Sequence, residues 1–291
     1  MGCYLRPGYL RPRGLEDAVA AMADGSYTVL AGGTDFYPAR AGGLGGRPPE
    51  SKVLDITALE GLRGIAEEGD SLRIGALTTW SDLLHAPLPP YFAALKLAAR
   101  EVGGVQIQNA GTLCGNLCNA SPAADGVPPL LALDAEVELA SQAGARRLAL
   151  DDFILGNRQT AKRPDELVTA LHIPKLSARA RSTFLKLGAR KYLVISIVMA
   201  ALLIDLDDKG NVSKARVAVG SCAARALRLP AVEAALEGRP FDEDLLPRIG
   251  DEQLDPLTPI DDIRGTADYR REAAVALLRR GVEALLSQEA A

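Results

Sequence analysis

Histidine is scarce in this chain, which contains only two in 291 residues. His85 and His172 leave little room for a His-based metal site or for a catalytic triad that depends on histidine. We therefore predict a structural role for both histidines and expect no metal site.

Cysteine is also sparse, and its spacing excludes two kinds of metal centre. The four cysteines are Cys3, Cys114, Cys118 and Cys222, and only Cys114 and Cys118 lie close together, as C-x-x-x-C. An iron–sulfur cluster normally takes four clustered thiolates, and a structural zinc site takes paired C-x-x-C units. The simplest interpretation of Cys114 and Cys118 is two small buried side chains.

Charge and hydropathy exclude further classes of protein. The 33 Lys and Arg residues against 37 Asp and Glu residues give a net charge of −4, which argues against a nucleic-acid-binding face. The longest uncharged apolar run, residues 192–204, is shorter than the roughly 20 residues of a spanning helix. Charged residues interrupt positions 3–20, so no signal peptide is predicted and we expect a cytoplasmic protein. The sequence has no Walker A, His-Glu-x-x-His or Gly-x-Ser-x-Gly motif.

Hydrophobic periodicity predicts an α+β fold, because strands group with strands and helices with helices in the second half. We place a domain boundary near residues 175–182. The stretch 103–126 is rich in Gly, Asn and Ser and is predicted to be largely irregular, and 41–49 is predicted to be a loop. Strands are predicted at 27–31, 52–54, 72–74, 137–140, 167–173, 183–187, 194–206 and 215–219. Helices are predicted at 14–24, 79–84, 91–101, 130–133, 230–236, 242–249 and 268–286.

Two segments combine glycines with short polar side chains: Ala31-Gly-Gly-Thr-Asp35 and the stretch 109–125. Glycine lets a backbone approach a ligand closely, and successive N–H groups can form a concave nest for a phosphate. Two such loops could grip the two phosphates of one pyrophosphate. The residues alone leave open that both segments are ordinary turns. Neutral hydrogen bonds could come from Thr34, Thr112, Asn116 and Ser121, and Asp125 is an acceptor suited to ribityl or ribose hydroxyls.

Taken together, these segments resemble the FAD-binding subunit of the molybdenum hydroxylases, the flavoprotein subunit of xanthine and carbon monoxide dehydrogenases. Family members carry an Ala-Gly-Gly-Thr-Asp-like loop near residue 30 and a Thr-x-Gly-Gly-Asn-x-x-x-Ala-Ser-Pro-x-x-Asp-like segment near residue 110. The stretches 163–174, 184–191 and 220–236 also resemble the family, so that the likeness runs through essentially the whole chain in order. One departure is Cys114, which stands where the family has the first glycine of Gly-Gly-Asn.

The resemblance implies a two-part FAD-binding domain of the vanillyl-alcohol-oxidase (PCMH-like) type at residues 1–177. A C-terminal domain with a small antiparallel sheet and helices would follow at 182–291. It also implies roles for single residues. The pyrophosphate would lie against Ala31, Gly32, Gly33, Thr34, Asp35, Gly111, Thr112, Cys114, Gly115 and Asn116, and Leu30 would also contact the cofactor. The rest of the cofactor would contact Ser121, Asp125, Leu167, Val168, Lys186 and Tyr192.

Three of these roles are specific. Asp125 would hold ribityl or ribose hydroxyls, Lys186 would reach the polar edge of the flavin, and Tyr192 would lie over the isoalloxazine. Without the resemblance, Lys186 would be interpreted as a solvated strand lysine and Tyr192 as the start of a buried strand. Because a flavin carries the electron chemistry itself, we expect no catalytic acid or base on this chain.

The resemblance further implies an electron-transfer subunit within a larger oxidoreductase. FAD on this chain would accept electrons from a [2Fe-2S] subunit and pass them to NAD⁺, a quinone or O₂. The partners would be a molybdopterin-binding large subunit and an iron–sulfur small subunit, in a dimer of heterotrimers. Two alternatives stay open: a self-contained FAD-dependent oxidase or reductase, and a non-catalytic assembly subunit that lacks flavin.

Overall fold

The structure, a computed structural model, describes residues 8–23, 25–41 and 52–289. Cys3 and residues 42–49 of the predicted loop lie outside these ranges. Ala41, the first residue of that predicted loop, is the last residue of a helix.

A small parallel sheet begins the fold. Its elements are β1 (Tyr9–Leu10), α1 (Leu15–Met22), β2 (Tyr27–Leu30), α2 (Phe36–Ala41) and β3 (Lys52–Asp55). The strand order is β1-β3-β2, and both pairings are parallel. Helix α1 joins β1 to β2 and buries Ala18, Val19 and Met22, as the connection between parallel strands requires a crossover. The helix predicted at 14–24 and the strand predicted at 27–31 are confirmed.

An antiparallel sheet of five strands follows, in the order β4-β5-β10-β6-β7. Its strands are β4 (Ile65–Glu68), β5 (Ser71–Gly75), β6 (Glu136–Ser141), β7 (Gly144–Ala149) and β10 (Leu167–Pro174). Between β7 and β10 the chain forms a separate hairpin of β8 (Ile154–Gly156) and β9 (Gln159–Thr160). Central β10 is buried along almost its whole length, which is why its sequence is apolar except for Thr169 and His172. The predictions missed the edge strands β4 and β7, whose residues are mostly exposed.

Six short helices connect these strands: α3 (Trp80–His85), α4 (Ala93–Glu101), α5 (Val105–Ala110), α6 (Leu113–Asn119), α7 (Val127–Ala132) and α8 (Leu150–Phe153). The prediction of an irregular stretch at 103–126 is wrong, because α5 and α6 occupy much of it. Both helices are too short to show a helical period in the sequence. Gly111 and Thr112 separate them, and the Thr112 side chain caps α6 by accepting from the Gly115 N–H at 3.0 Å.

The C-terminal part is an antiparallel sheet, β11-β12-β13-β14, with helices on one face. Its elements are β11 (Arg181–Leu187), β12 (Val198–Leu206), β13 (Val212–Gly220), β14 (Leu227–Arg228), α9 (Pro230–Leu236) and α10 (Ala267–Glu289). Strand β12 contributes to two cores. Met199, Ala201 and Leu203 belong to the core of the N-terminal part, whereas Ala200 and Leu202 belong to a second core beneath α9 and α10.

Two predictions in this part need correction. The strand predicted at 194–206 begins only at Val198, and residues 188–197 form a loop. The helix predicted at 242–249 is a 3-10 helix, Glu243–Arg248, with Pro247 inside it, since proline cannot donate an α-helical hydrogen bond. Other 3-10 turns are Glu60–Leu62, Pro90–Phe92 and Asp251–Leu254. Within the described ranges, no helix has the combination of length and apolar character needed to cross a bilayer.

Close packing of α10 on β12 provides a test of the C-terminal core. A Cβ built on Gly281 would lie 2.4 Å from Cδ1 of the buried Leu202. We expect Gly281→Leu to lower the free energy of unfolding by about 1–3 kcal/mol through overpacking, measured by urea denaturation. Glu283→Leu, on the exposed side of the same helix, should change it by less than about 0.5 kcal/mol. Equal losses in the two variants would contradict this packing.

Candidate functional site

The structure brings the two glycine-containing loops together at the level of the backbone. Residues 31–35 follow β2 at the edge of the parallel sheet. A Cβ on Gly32 would lie 1.9 Å from the carbonyl oxygen of Ala110, immediately before Gly111. Gly33 has a φ of +75°, in the left-handed region that favours glycine. The first loop therefore needs glycine at both positions, once for a close approach and once for its backbone conformation.

The second loop is anchored to α3. The Trp80 N–H donates to the carbonyl of Gly111 at 3.2 Å, and the Leu113 N–H donates to the carbonyl of Thr78 at 3.2 Å. The Trp80 ring also lies where a Cβ on Gly126 would be, at 2.6 Å. The buried residue Trp80 thus contacts the second loop at Gly111 and packs against Gly126, which directly follows that loop.

Cys114, which replaces a family glycine, lies in the first turn of α6 and does not have a positive φ. A cysteine is therefore compatible with the backbone at this position. Burial raises the pKa of the Cys114 thiol well above its usual value, which disfavours the reactive thiolate form. We therefore expect Cys114 to contact a ligand through its backbone N–H. The expectation that Cys114 and Cys118 are both buried is confirmed for Cys114 and wrong for Cys118, which is exposed.

Asn116 on α6 carries a polar atom that a ligand could satisfy. Its Oδ1 atom is buried and has no hydrogen-bond partner in the described part of the chain. A buried polar atom without a partner is costly, and in native proteins it usually has an explanation such as a ligand. Thr34 Oγ1 lies 3.5 Å from the position of a Cβ on Gly111, so the hydroxyl group of the first loop lies close to the second loop.

A buried ion pair lies at the junction of the N- and C-terminal parts. Lys186 Nζ on β11 is 2.6 Å from Asp125 Oδ2, and the side chain of Lys186 is only 6% exposed. Ser196 donates to the other carboxylate oxygen, Oδ1, at 2.6 Å. Burial raises the pKa of Asp125, while the charge and the hydrogen bond of Lys186 and the hydrogen bond from Ser196 oppose the rise. The interpretation of Lys186 as a solvated strand lysine is therefore wrong.

These contacts bear on two predicted roles. Asp125 and Lys186, assigned to different parts of the cofactor, contact each other directly. One N–H of the Lys186 ammonium group donates to Asp125, which leaves two for another acceptor. The assignment of Asp125 to sugar hydroxyls and of Lys186 to the flavin edge stays a prediction.

Three other predicted residues have environments of a different kind. The side chains of Leu167 and Val168 on β10 are covered by protein within the N-terminal core. Ser121 begins a turn, in which its Oγ accepts from the Ala123 N–H at 3.3 Å. Their assignment to the cofactor stays a prediction.

Tyr192 is 63% exposed, together with its neighbours Leu193 at 59% and Ile195 at 53%. The alternative that it begins a buried strand is therefore wrong. The Arg190 guanidinium donates twice to the carbonyl of Leu193, at 2.5 and 3.2 Å, and Leu193 has a φ of +51°. This loop exposes an aromatic ring to solvent, and its residue Ser196 contacts Asp125.

Arg270, which the sequence did not single out, anchors that loop. Its buried guanidinium donates to the carbonyl of Ile197 at 2.6 Å, to the carbonyl of Ser221 at 3.1 Å and to Asp262 at 2.7 Å. The Ser221 N–H in turn donates to the carbonyl of Pro122 at 3.0 Å. The backbone N–H of Arg264 and the guanidinium groups of Arg270 and Arg264 lower the pKa of Asp262 to about 2. No local pattern predicts contacts between residues so far apart in the chain.

The two histidines lie away from this meeting point of loops. His172 is buried and its Nε2 is 2.8 Å from Glu138 Oε2, and the His85 Nδ1 is 2.7 Å from the carbonyl of Ser81. Both contacts are with protein groups that hold a strand or a helix in place. In residues 8–23, 25–41 and 52–289, no three His, Cys, Asp or Glu side chains converge to hold a metal ion.

Comparison with known proteins decides the family. Residues 5–176 match the model of the FAD binding domain in molybdopterin dehydrogenase, and residues 183–285 match that of the CO dehydrogenase flavoprotein C-terminal domain. The chain belongs to the FAD-binding subunits of the molybdopterin dehydrogenase family. The resemblance stated from the sequence is thereby confirmed, and with it FAD as the cofactor of this chain and its role as an oxidoreductase component.

Individual members of the family align with nearly the whole chain. The nicotinate dehydrogenase FAD-subunit of Eubacterium barkeri is 31% identical, with 96% of each chain covered. The putative xanthine dehydrogenase FAD-binding subunit of Escherichia coli is 33% identical, with 90% of each covered. Among solved structures, a carbon monoxide dehydrogenase from Hydrogenophaga pseudoflava that lacks the Mo-pyranopterin moiety superimposes with a TM-score of 0.87 at 29% identity, with 96% of each chain covered.

The described residues fit FAD, the group that gives the family its name. The glycine backbone of the first loop, the unpartnered Asn116 Oδ1 and the remaining donors of Lys186 supply donors and acceptors for a ligand. Both predicted features of the α+β fold, a two-part FAD-binding domain and a C-terminal domain with a small antiparallel sheet, are present.

The buried pair of Asp125 and Lys186 predicts a pH-dependent stability. Lys186→Met removes the cation that restrains the rise of the Asp125 pKa, so the folded protein will favour the protonated acid more strongly. A raised pKa in the folded state means that stability is lost as pH rises through that value. We expect a loss of about 3–5 kcal/mol at pH 8 and a smaller loss at pH 5, measured by urea denaturation.

The double variant Asp125→Asn/Lys186→Met is the matched control, because it leaves no unpaired charge. It should recover most of the loss and should show little dependence on pH. A single variant with the same loss at both pH values would refute the proposed coupling.

Proposed function

We propose that this chain is the electron-transfer subunit of a molybdopterin-dependent dehydrogenase. It accepts electrons from a [2Fe-2S] subunit and passes them to NAD⁺, a quinone or O₂. The observation that supports this best is the direct backbone contact between the two loops at Gly32 and Ala110. A buried lysine with spare donors, Lys186, lies on β11. Such an arrangement suits an extended dinucleotide with a pyrophosphate in its middle. A bound FAD can exchange electrons one at a time or in pairs.

The proposed assembly contains a molybdopterin-binding large subunit and an iron–sulfur small subunit, as a dimer of heterotrimers. The Hydrogenophaga pseudoflava relative is named as a carbon monoxide dehydrogenase medium chain, and several others are named as subunits of dehydrogenases. Within this chain we propose domains at residues 1–177 and 182–291, a division supported by the two matched family models at 5–176 and 183–285.

The residues of this chain would hold the cofactor rather than perform proton chemistry. Backbone N–H groups at Gly32 and Gly33 would donate to phosphate oxygens, and Thr34 and Thr112 would flank them. Lys186 would place a buried positive charge at the polar edge of the ring system. Asp125 keeps that ammonium group in place through its 2.6 Å contact.

Isolation of the tagged chain together with its neighbours distinguishes this proposal from its rivals. We expect FAD, iron and molybdenum to copurify in a complex, and we expect the flavin absorbance near 450 nm to bleach when an oxidisable heterocycle, aldehyde or CO is added. The isolated chain should not turn over these substrates. Turnover by the isolated chain with an organic substrate would instead support a self-contained oxidase or reductase. A complex whose chain takes up no FAD would support an assembly subunit.

Thr34 offers a sharper test of the first loop than its glycines do. A side chain on Gly32 would collide with the Ala110 carbonyl, so valine at positions 32 and 33 would disturb the loop as well as the ligand. Thr34→Val keeps the side-chain shape and removes only the hydroxyl group. We expect FAD affinity to fall by about fivefold to tenfold, as for one lost hydrogen bond, in a fluorescence titration. Thr258→Val, at an exposed position elsewhere, should leave the affinity unchanged, and equal effects would contradict the assignment of Thr34.

A further inference from the structure

Charge at the first loop poses a problem for the proposed pyrophosphate site. Thr34, Thr112 and Asn116 are neutral, and the only ionisable side chain in the segment 31–35 is Asp35. Asp35 is exposed, but its negative charge at a loop that would receive a pyrophosphate still weakens binding by like-charge repulsion. A cation close to Asp35 would offset this repulsion.

The structure provides one through a hydrogen-bonded relay. Asn119 Nδ2 donates to Asp35 Oδ1 at 3.0 Å, and the Arg158 guanidinium donates to Asn119 Oδ1. Asn119 is the last residue of α6, the helix that Thr112 of the second loop caps. The relay thus ties the first loop, the helix of the second loop and Arg158 into one unit.

Arg158 itself has an unusual backbone conformation. It lies in the turn between β8 and β9 with a φ of +56°, a region in which glycine or asparagine is the usual residue. Its backbone N–H donates to the carbonyl of Ala120 at 2.8 Å, just beyond Asn119. The turn is therefore docked on the end of α6, and its strained residue carries the side chain that reaches the relay. Left-handed residues other than glycine are frequent at functional sites.

We propose that Arg158 is a positioning residue for the FAD pyrophosphate, acting through Asn119 to neutralise Asp35 and to hold the first loop against α6. The inference rests on the proposed function, since it concerns the same cofactor site. It assigns a role to a hairpin that lies outside both glycine-containing loops.

The test is a double-variant cycle on the whole complex, stripped of flavin and titrated with FAD. Arg158→Gly removes the guanidinium and suits the left-handed backbone, so the thermal stability of the complex should be kept. We expect about a tenfold loss of FAD affinity, as for one charge-assisted hydrogen bond. In the Asp35→Asn background the same change should cost less than about threefold, because the carboxylate that Arg158 offsets is gone.

Arg179→Ala is the matched control, since Arg179 is an exposed arginine paired with Asp208 away from the site, and it should leave the affinity unchanged. An unchanged affinity in Arg158→Gly would overturn the inference. An equal loss in both backgrounds would also overturn it, because Arg158 would then act independently of Asp35. If the unaltered complex takes up no FAD, the proposed function itself fails, and that result is distinct from either of these.

Discussion

The contact between Gly32 and the carbonyl of Ala110 is the constraint on which the site depends. It joins the edge of the parallel sheet to the segment between α5 and α6, and no side chain fits between the two backbones. Trp80 supports the arrangement, since its N–H bonds to Gly111 and its ring packs against Gly126. The geometry of both loops is therefore set by protein packing. A site preorganised in this way spends little binding energy on ordering its own backbone.

The sheet of β11 to β14 connects this site to the rest of the molecule. Because β12 is buried on both faces, the sheet belongs to the cores of both parts of the chain. Lys186 on β11 is thereby held against Asp125 of the N-terminal part. A buried ammonium group is costly without a partner, so the pair and its hydrogen bond from Ser196 constrain how the two parts meet at the site.

Local sequence patterns identified the elements whose environment is uniform along the chain. Strands β10 and β12 are buried on both faces and were visible as apolar runs, and the glycines at 32, 33 and 111 marked the loops. The edge strands β4 and β7 and the short helices α5 and α6 were missed, because exposed edge strands and helices of about two turns carry no clear hydrophobic period. The start of β12 was placed too early because Val194 and Ile195 are apolar although they lie in the loop before the strand, where Ile195 is exposed.

By itself, the sequence determined the α+β class, the family resemblance and the two loops that meet at the proposed cofactor site. Only the tertiary structure decided which charges meet there. Lys186 and Ser196 reach Asp125 across 61 and 71 residues, and Asn119 reaches Asp35 across 84. Glycine acts on its own backbone, so its effect can be recognised from the residue type. The strength of an ion pair depends on distance and burial in space, and neither quantity is encoded by neighbours along the chain.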